Sequence, residues 1–166
     1  AFSSRWTEAR RTSLETEVPK VYGLPDLRAV FHRVYGEGLS RREIAAAART
    51  VDEQAEAGDR VAIGCLRTAA DELAALALDV IGELHMQELT FPMIAIGSVA
   101  QKSRLWWERL CERVVAVAPH AEPIIPPVRP VIGAALLGMK RLGIGWTPEL
   151  VARIVETQRP FLAQLG

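Results

Sequence analysis

The chain has 166 residues, of which 49% are apolar and 24% charged. That is enough apolar chain for one domain with a hydrophobic core, and it excludes an intrinsically disordered polymer. Lys+Arg and Asp+Glu both number 20, so no net charge draws the protein towards nucleic acid or an anionic membrane.

No apolar run approaches the roughly 20 residues that a membrane helix needs. The opening Ala1-Phe2-Ser3-Ser4-Arg5-Trp6 lacks the apolar core of a signal peptide, and the two cysteines, read as reduced thiols, lead to the expectation of a cytoplasmic protein. The opening also lacks Met, so the chain is expected to begin inside a longer protein. Cys65 and Cys111 both fall in helix-like apolar stretches and are expected as reduced, buried thiols.

Arg5 to about Glu17 is polar and predicts a surface helix ended by Pro19. Pro25-Asp26 opens a short helix with Leu27, Val30, Phe31 and Val34 at helical spacing, broken by Gly36 and Gly38. Ser40-Arg41-Arg42-Glu43 is a capping box. It starts a helix with Ile44, Ala47, Val51 and Ala55 on one face, and Gly58 stops it. Asp59 caps the longest helix, to about Leu84, whose expected core stripe is Leu66, Ala69, Leu73, Leu76, Val80 and Leu84.

Phe91 to Ile96 is a short apolar run before Gly97-Ser98 and reads as a buried strand. A helix from about Ser103 to Ala118 follows, with Leu105, Trp106, Leu110, Val114 and Val117. Its adjacent Trp106 and Trp107 point to different faces, at least one into the core. Ala121 to Ile125, closed by Pro126-Pro127, is a second strand. A small-residue helix from about Val131 to Leu142 comes next. Thr147-Pro148 then begins the last helix, with Leu150, Val151, Ile154, Val155 and Phe161. Strands alternating with helices predict parallel pairing in an α/β layer. Two strands make no stable sheet alone, so further strands are expected upstream of Ala1.

The strand–glycine–helix segment Met93 to Ser103 is the main candidate site. Glycine lets a backbone approach a ligand closely, and free amides at a helix start favour phosphate or hydroxyl groups. The competing reading is a tight turn with no ligand. In Pro130-Val131-Ile132-Gly133-Ala134-Ala135-Leu136-Leu137-Gly138, the small residues suit close helix packing, and Gly133 could face a nucleotide. His32, His85 and His120 have no metal-ligand spacing. Asp71-Glu72 read as solvated. Arg10-Arg11 and Arg41-Arg42 lack interleaved aromatics, against nucleic-acid binding. There is no phosphate loop, dinucleotide fingerprint, nucleophile elbow or protein-kinase signature, and no catalytic residue or metal ligand is assigned.

Ala95-Ile96-Gly97-Ser98-Val99, with Lys102-Ser103 and a Trp-bearing helix behind it, resembles the adenosine motif of animal-type N-acetylglucosamine kinases. The wider BadF/BadG/BcrA/BcrD-type ATPase family usually carries Gly-Gly-Val there, and Ser98 departs from that form. One extra residue separates Val99 from Lys102. Glu53 to Asp59 resembles the family's A-x-x-G-D junction, and Pro130 to Leu136 its P-x-x-G-A-A helix. The similarity spans about Leu24 to Gly143, with the motifs in family order.

The resemblance implies a helix-rich C-terminal lobe of RNase H-like, actin-like ATPase (ASKHA) type, residues 1–166 forming one domain without the N-terminal lobe. It implies Gly97, Ser98, Val99 and Gly133 as adenosine contacts, and ATP with Mg as cofactors of the complete protein. There an amino-sugar hydroxyl would receive the phosphate, as in a kinase (a transferase), while this half alone would carry no activity. Implied partners are nucleotide and sugar, with no nucleic acid and no membrane; a homodimer is left open. Two alternatives stand beside it: an ATPase activator of the BadF/BcrA type, which needs cysteines for a bridging iron–sulfur cluster, and a non-enzymatic helical regulatory or oligomerisation module.

Overall fold

The computed structural model describes residues 11–126, 128 and 130–163. The chain is mostly helical with a small two-stranded parallel sheet. Helices α1 (Leu14–Val21), α2 (Leu27–His32), α3 (Arg41–Glu56) and α4 (Arg60–Glu83) precede strand β1 (Phe91–Ile94). Then come α5 (Ser98–Lys102), α6 (Arg104–Val115), β2 (Ala121–Ile124), α7 (Pro130–Arg141) and α8 (Pro148–Ala163). Among the described residues no helix is long and apolar enough to cross a membrane. Contacts divide the chain into two compact units: Ala1–Pro92 with Ser98–Glu122, and Met93–Gly97 with Pro123–Gly166.

The first unit follows local signals closely. Ser40 Oγ accepts the Glu43 amide at 3.3 Å, and the Ser40 amide donates to Glu43 Oε2 at 2.8 Å, completing the capping box of α3. Ser40→Ala is expected to cost about 1 kcal/mol. A thermal melt followed by circular dichroism should show it as a fall of about 2–4 °C. Gly58 ends α3 with φ +91°, a conformation that side-chain-bearing residues resist. Asp59 then caps α4 by accepting the amides of Val61 at 2.9 Å and Ala62 at 3.1 Å.

The other Asp59 oxygen reaches across the chain. Asp59 Oδ2 accepts the Thr12 hydroxyl at 2.8 Å, the Ser13 amide at 2.7 Å and the Ser13 hydroxyl at 2.8 Å. One carboxylate therefore ties the start of α1 to the start of α4. Burial works to raise its pKa. The Ala62 amide, the Ser13 and Thr12 hydroxyls and the Ser13 amide outweigh that and hold it down to about 2. Around this knot Leu14, Ala55 and Ala62 are buried, with Val18, Val51, Leu66 and Leu105 packed against them.

Several expectations change. Of the polar helix expected from Arg5 to about Glu17, residues 11–13 are not helical; α1 starts at Leu14 and runs through Pro19, which sacrifices one backbone bond instead of ending it. Residues 1–10, including Trp6 and Arg10, and Pro127 lie outside the described residues. The chain after α2 widens into a π-helical turn over Arg33–Gly38, and only Val30 of its expected apolar face is buried.

Helix α4 buries a different face from the one its leucines mark. Ala70, Ala74 and Ile81 are buried, whereas Leu73, Leu76, Val80 and Leu84 are exposed. Alanines let α6 approach α4 closely, and Leu110 and Val114 of α6 are buried in turn. Arg109 of α6 clamps Asp71 of α4 with Nε–Oδ1 at 2.8 Å and Nη2–Oδ2 at 3.2 Å, and Arg113 adds a contact at 3.3 Å. Asp71 is thus ion-paired, not simply solvated as expected. Trp106 and Trp107 are both half-buried, so neither is a core residue.

The two strands contribute their first residues to the first unit and their last to the second. The parallel pairing expected from the strand–helix–strand order is what forms, and Ala95 extends it by donating to the Ile124 carbonyl at 2.9 Å. In the second unit, α8 begins as expected, the Leu150 amide donating to Thr147 Oγ1 at 3.3 Å ahead of Pro148. Phe161 of that helix lies outside the described side chains. Helix α7 buries no residue. A Cβ on Gly133 or Gly138 would meet no atom within 4 Å, so these glycines face open space and not the close helix contact expected of them.

Candidate functional site

Three adjacent candidate residues sit where β1 gives way to α5. Ile96 and Gly97 leave the strand, and Gly97 takes φ +124°, a conformation that strains any L side chain. Gly97, Ser98 and Val99 are all exposed. A Cβ built on Gly97 would meet nothing within 4 Å. At Gly97 the turn is therefore bare main chain, with no atom of the described residues standing where a side chain would.

The helix behind the turn is shorter than expected. Helix α5 spans five residues and breaks at Ser103 before α6 begins. The break is built by Ser103, the buried polar residue among those described. Its amide donates to the Val99 carbonyl at 2.8 Å and its carbonyl accepts from the Trp107 amide at 3.1 Å. Its hydroxyl donates to Asp52 Oδ1 of α3 at 2.5 Å. Ala100 is buried beside it. Ser103 and Asp52 thus pin the elbow that presents Ser98 and Val99. Sequence reading reached Ser103 only as part of the motif and missed Asp52 altogether. Nothing local to α3 marks one aspartate on its face as the partner of a hydroxyl 51 residues away.

Gly133 lies on α7, apart in sequence from the turn. The exposed turn can offer main-chain amides and carbonyls and the Ser98 hydroxyl to a ligand. Among the described residues no group of three or more His, Cys, Asp or Glu side chains could hold a metal ion.

The cysteines depart from expectation. Both thiols are free; Cys65 is exposed and Cys111 only half-buried. Cys65 lies on the side of α4 turned away from α6, where helical periodicity alone could not tell core from surface. Burial raises the Cys111 pKa, so that thiol is held in its protonated form.

No protein-family model matches the chain. No curated protein matches it.

Proposed function

We propose that this chain is the nucleotide-facing half of an ATP-dependent amino-sugar kinase of the actin-like, RNase H-type superfamily. The observation that carries the reading is the open turn at Gly97: positive φ, exposure, and empty space where a side chain would stand. Such a turn lets a ribose or adenine edge reach main-chain nitrogen directly. Ser98 supplies a hydroxyl for the same ligand, and Val99 an apolar surface for the base.

In this reading Mg-ATP supplies the phosphoryl group and the charge neutralisation that its transfer needs. As the resemblance implies, groups outside this chain would hold the magnesium and would orient and deprotonate the sugar hydroxyl. This chain binds and orients the nucleoside, and lobe closure excludes water. The kinase activity belongs to the cytoplasmic complete protein, not to these 166 residues alone.

Calorimetric titration of the full-length gene product with ADP and Mg-ATP tests the reading. Binding is expected, with Ser98→Ala weakening it about tenfold and leaving the fold intact. Gly97→Val should abolish it, but it also strains the backbone by about 1–3 kcal/mol, so Ser98→Ala is the cleaner probe. A flat titration for the full-length protein sinks the proposal.

A second reading, a helical interaction module without a nucleotide site, is favoured by one observation: the uncovered leucine face of α4.

A further inference from the structure

From Ala62 the residues Leu66, Ala69, Leu73, Leu76, Val80 and Leu84 follow at spacings of three and four, which places them on one stripe of α4. Its first turns are covered: Ala62 is buried against Leu14 and Ala55, and Leu66 packs there with Val51. The rest is not. Leu73 is 42% exposed, Leu76 63%, Val80 56% and Leu84 61%. Length explains the difference. Helix α4 has 24 residues and α3 has 16, so α4 is about 36 Å long against about 24 Å. The three-residue link between them turns α3 back along α4 from Ala55 and Ala62. The last two turns of α4 then run past the covering helix. Helix α6 takes the other face, that of Ala70 and Ala74.

The stripe has a charged border on one side only. Glu72, Asp79 and Glu83, spaced by seven and four, line the flank away from the buried alanines. All three are exposed and have no hydrogen bond or ion pair among the described residues. The basic residues of α4, Arg60 and Arg67, lie near its other end.

We infer that the uncovered half of α4 docks a cationic amphipathic helix of another protein, with its apolar anchors on Leu73, Leu76, Val80 and Leu84 and its Lys or Arg flank on Glu72, Asp79 and Glu83. Charge selects this occupant. In a symmetric antiparallel pair, a second copy would set the same acidic flank against itself, and like charges across an interface repel. An anionic membrane surface is repelled by the same three carboxylates. A helix with anchors at three- and four-residue spacing matches the stripe, and opposite charge fixes its register. This inference does not rest on the kinase reading and stands or falls separately.

Three synthetic peptides about five turns long test it: an amphipathic Leu/Lys helix, the matched Leu/Glu helix, and a scrambled Leu/Lys sequence. Each is titrated into the protein with methyl-labelled Leu and Val and followed by NMR. The Leu/Lys helix should shift the methyl signals of Leu76, Val80 and Leu84 and leave the buried Val114 unmoved. It should bind at least tenfold more tightly than either control. Leu76→Gln with Val80→Gln should lower that affinity at least tenfold, with unchanged circular dichroism. Glu72→Lys, Asp79→Lys and Glu83→Lys together should reverse the preference to the Leu/Glu helix. The inference is overturned if the Leu/Lys helix does not bind, if the scrambled peptide binds equally, or if the glutamine pair changes nothing. A dilution-dependent dimer by analytical ultracentrifugation, lost in the glutamine pair, would instead give the face to a second copy.

Discussion

Asp59→Ala should lower the stability of the protein by about 3 kcal/mol, the largest effect expected from a single polar substitution here. The helix cap it forms with the Val61 and Ala62 amides accounts for about 1 kcal/mol. The three bonds from Thr12 and Ser13 to the other oxygen add about 2 kcal/mol, because hydrogen bonds to a charged acceptor exceed the neutral average. Removing the carboxylate also leaves the Ser13 amide and α4's first amides without a partner. In a thermal melt the midpoint should fall by about 6–12 °C. A fall no larger than that of Ser40→Ala would show that the link between α1 and α4 contributes nothing beyond the cap.

The same residue sets an acid dependence. Its pKa is held down to about 2 in the folded chain, against an ordinary value of 3.8 for an aspartate. Between those values the unfolded chain binds a proton at this site that the folded chain does not, so acid favours unfolding. The stabilisation is complete above about pH 4, declines as the pH falls from 3.8, and is gone below about 2. Asp59→Asn keeps an oxygen for the α4 amides but has nothing to titrate. The difference in stability between wild type and Asp59→Asn should therefore shrink steadily through this window. A difference that stays constant from pH 5 to pH 2 would refute the low pKa.

Ala74→Leu and Leu76→Gln should invert what hydropathy alone predicts. Ala74 is fully buried where α4 meets α6, facing the side of the interface that buries Leu110 and Val114. Three extra carbons there must displace α6 or force strained rotamers, costing about 3 kcal/mol. Leu76, two residues on, is 63% exposed, and its change to Gln should lie within about 0.5 kcal/mol of neutral. Urea titrations of the two variants decide it. If Leu76→Gln proves the more damaging, the leucine stripe is covered in solution and the placement of α6 on the alanine face is wrong.

The contrast between those two residues shows how far a sequence can be read. The start of α3 was legible because Ser40 and Glu43 are three residues apart and satisfy each other's backbone. The start of α4 was legible for the same reason, since Asp59 caps amides two and three residues ahead. Strand–glycine–helix order gave the parallel pair of β1 and β2, because a crossover of helix between two short apolar runs leaves little other choice. The Gly97 turn was visible as a glycine after a strand. That its surroundings are open was not visible, because vacancy depends on what the rest of the chain places nearby.

What sequence alone determined about this protein is local: where helices begin and end, that two short strands pair through a helical crossover, and that glycine stands at the turn. Tertiary structure decided which face of α4 is core, that Asp71 is clamped by Arg109, that Asp59 reaches back to Thr12 and Ser13, and that Asp52 holds Ser103. The physical reason is range. Capping and turn chemistry act within about four residues, so the pattern is written in one stretch of chain. The choice between an alanine face and a leucine face depends on how closely a second helix can approach and how far a third extends, and neither quantity belongs to α4 itself.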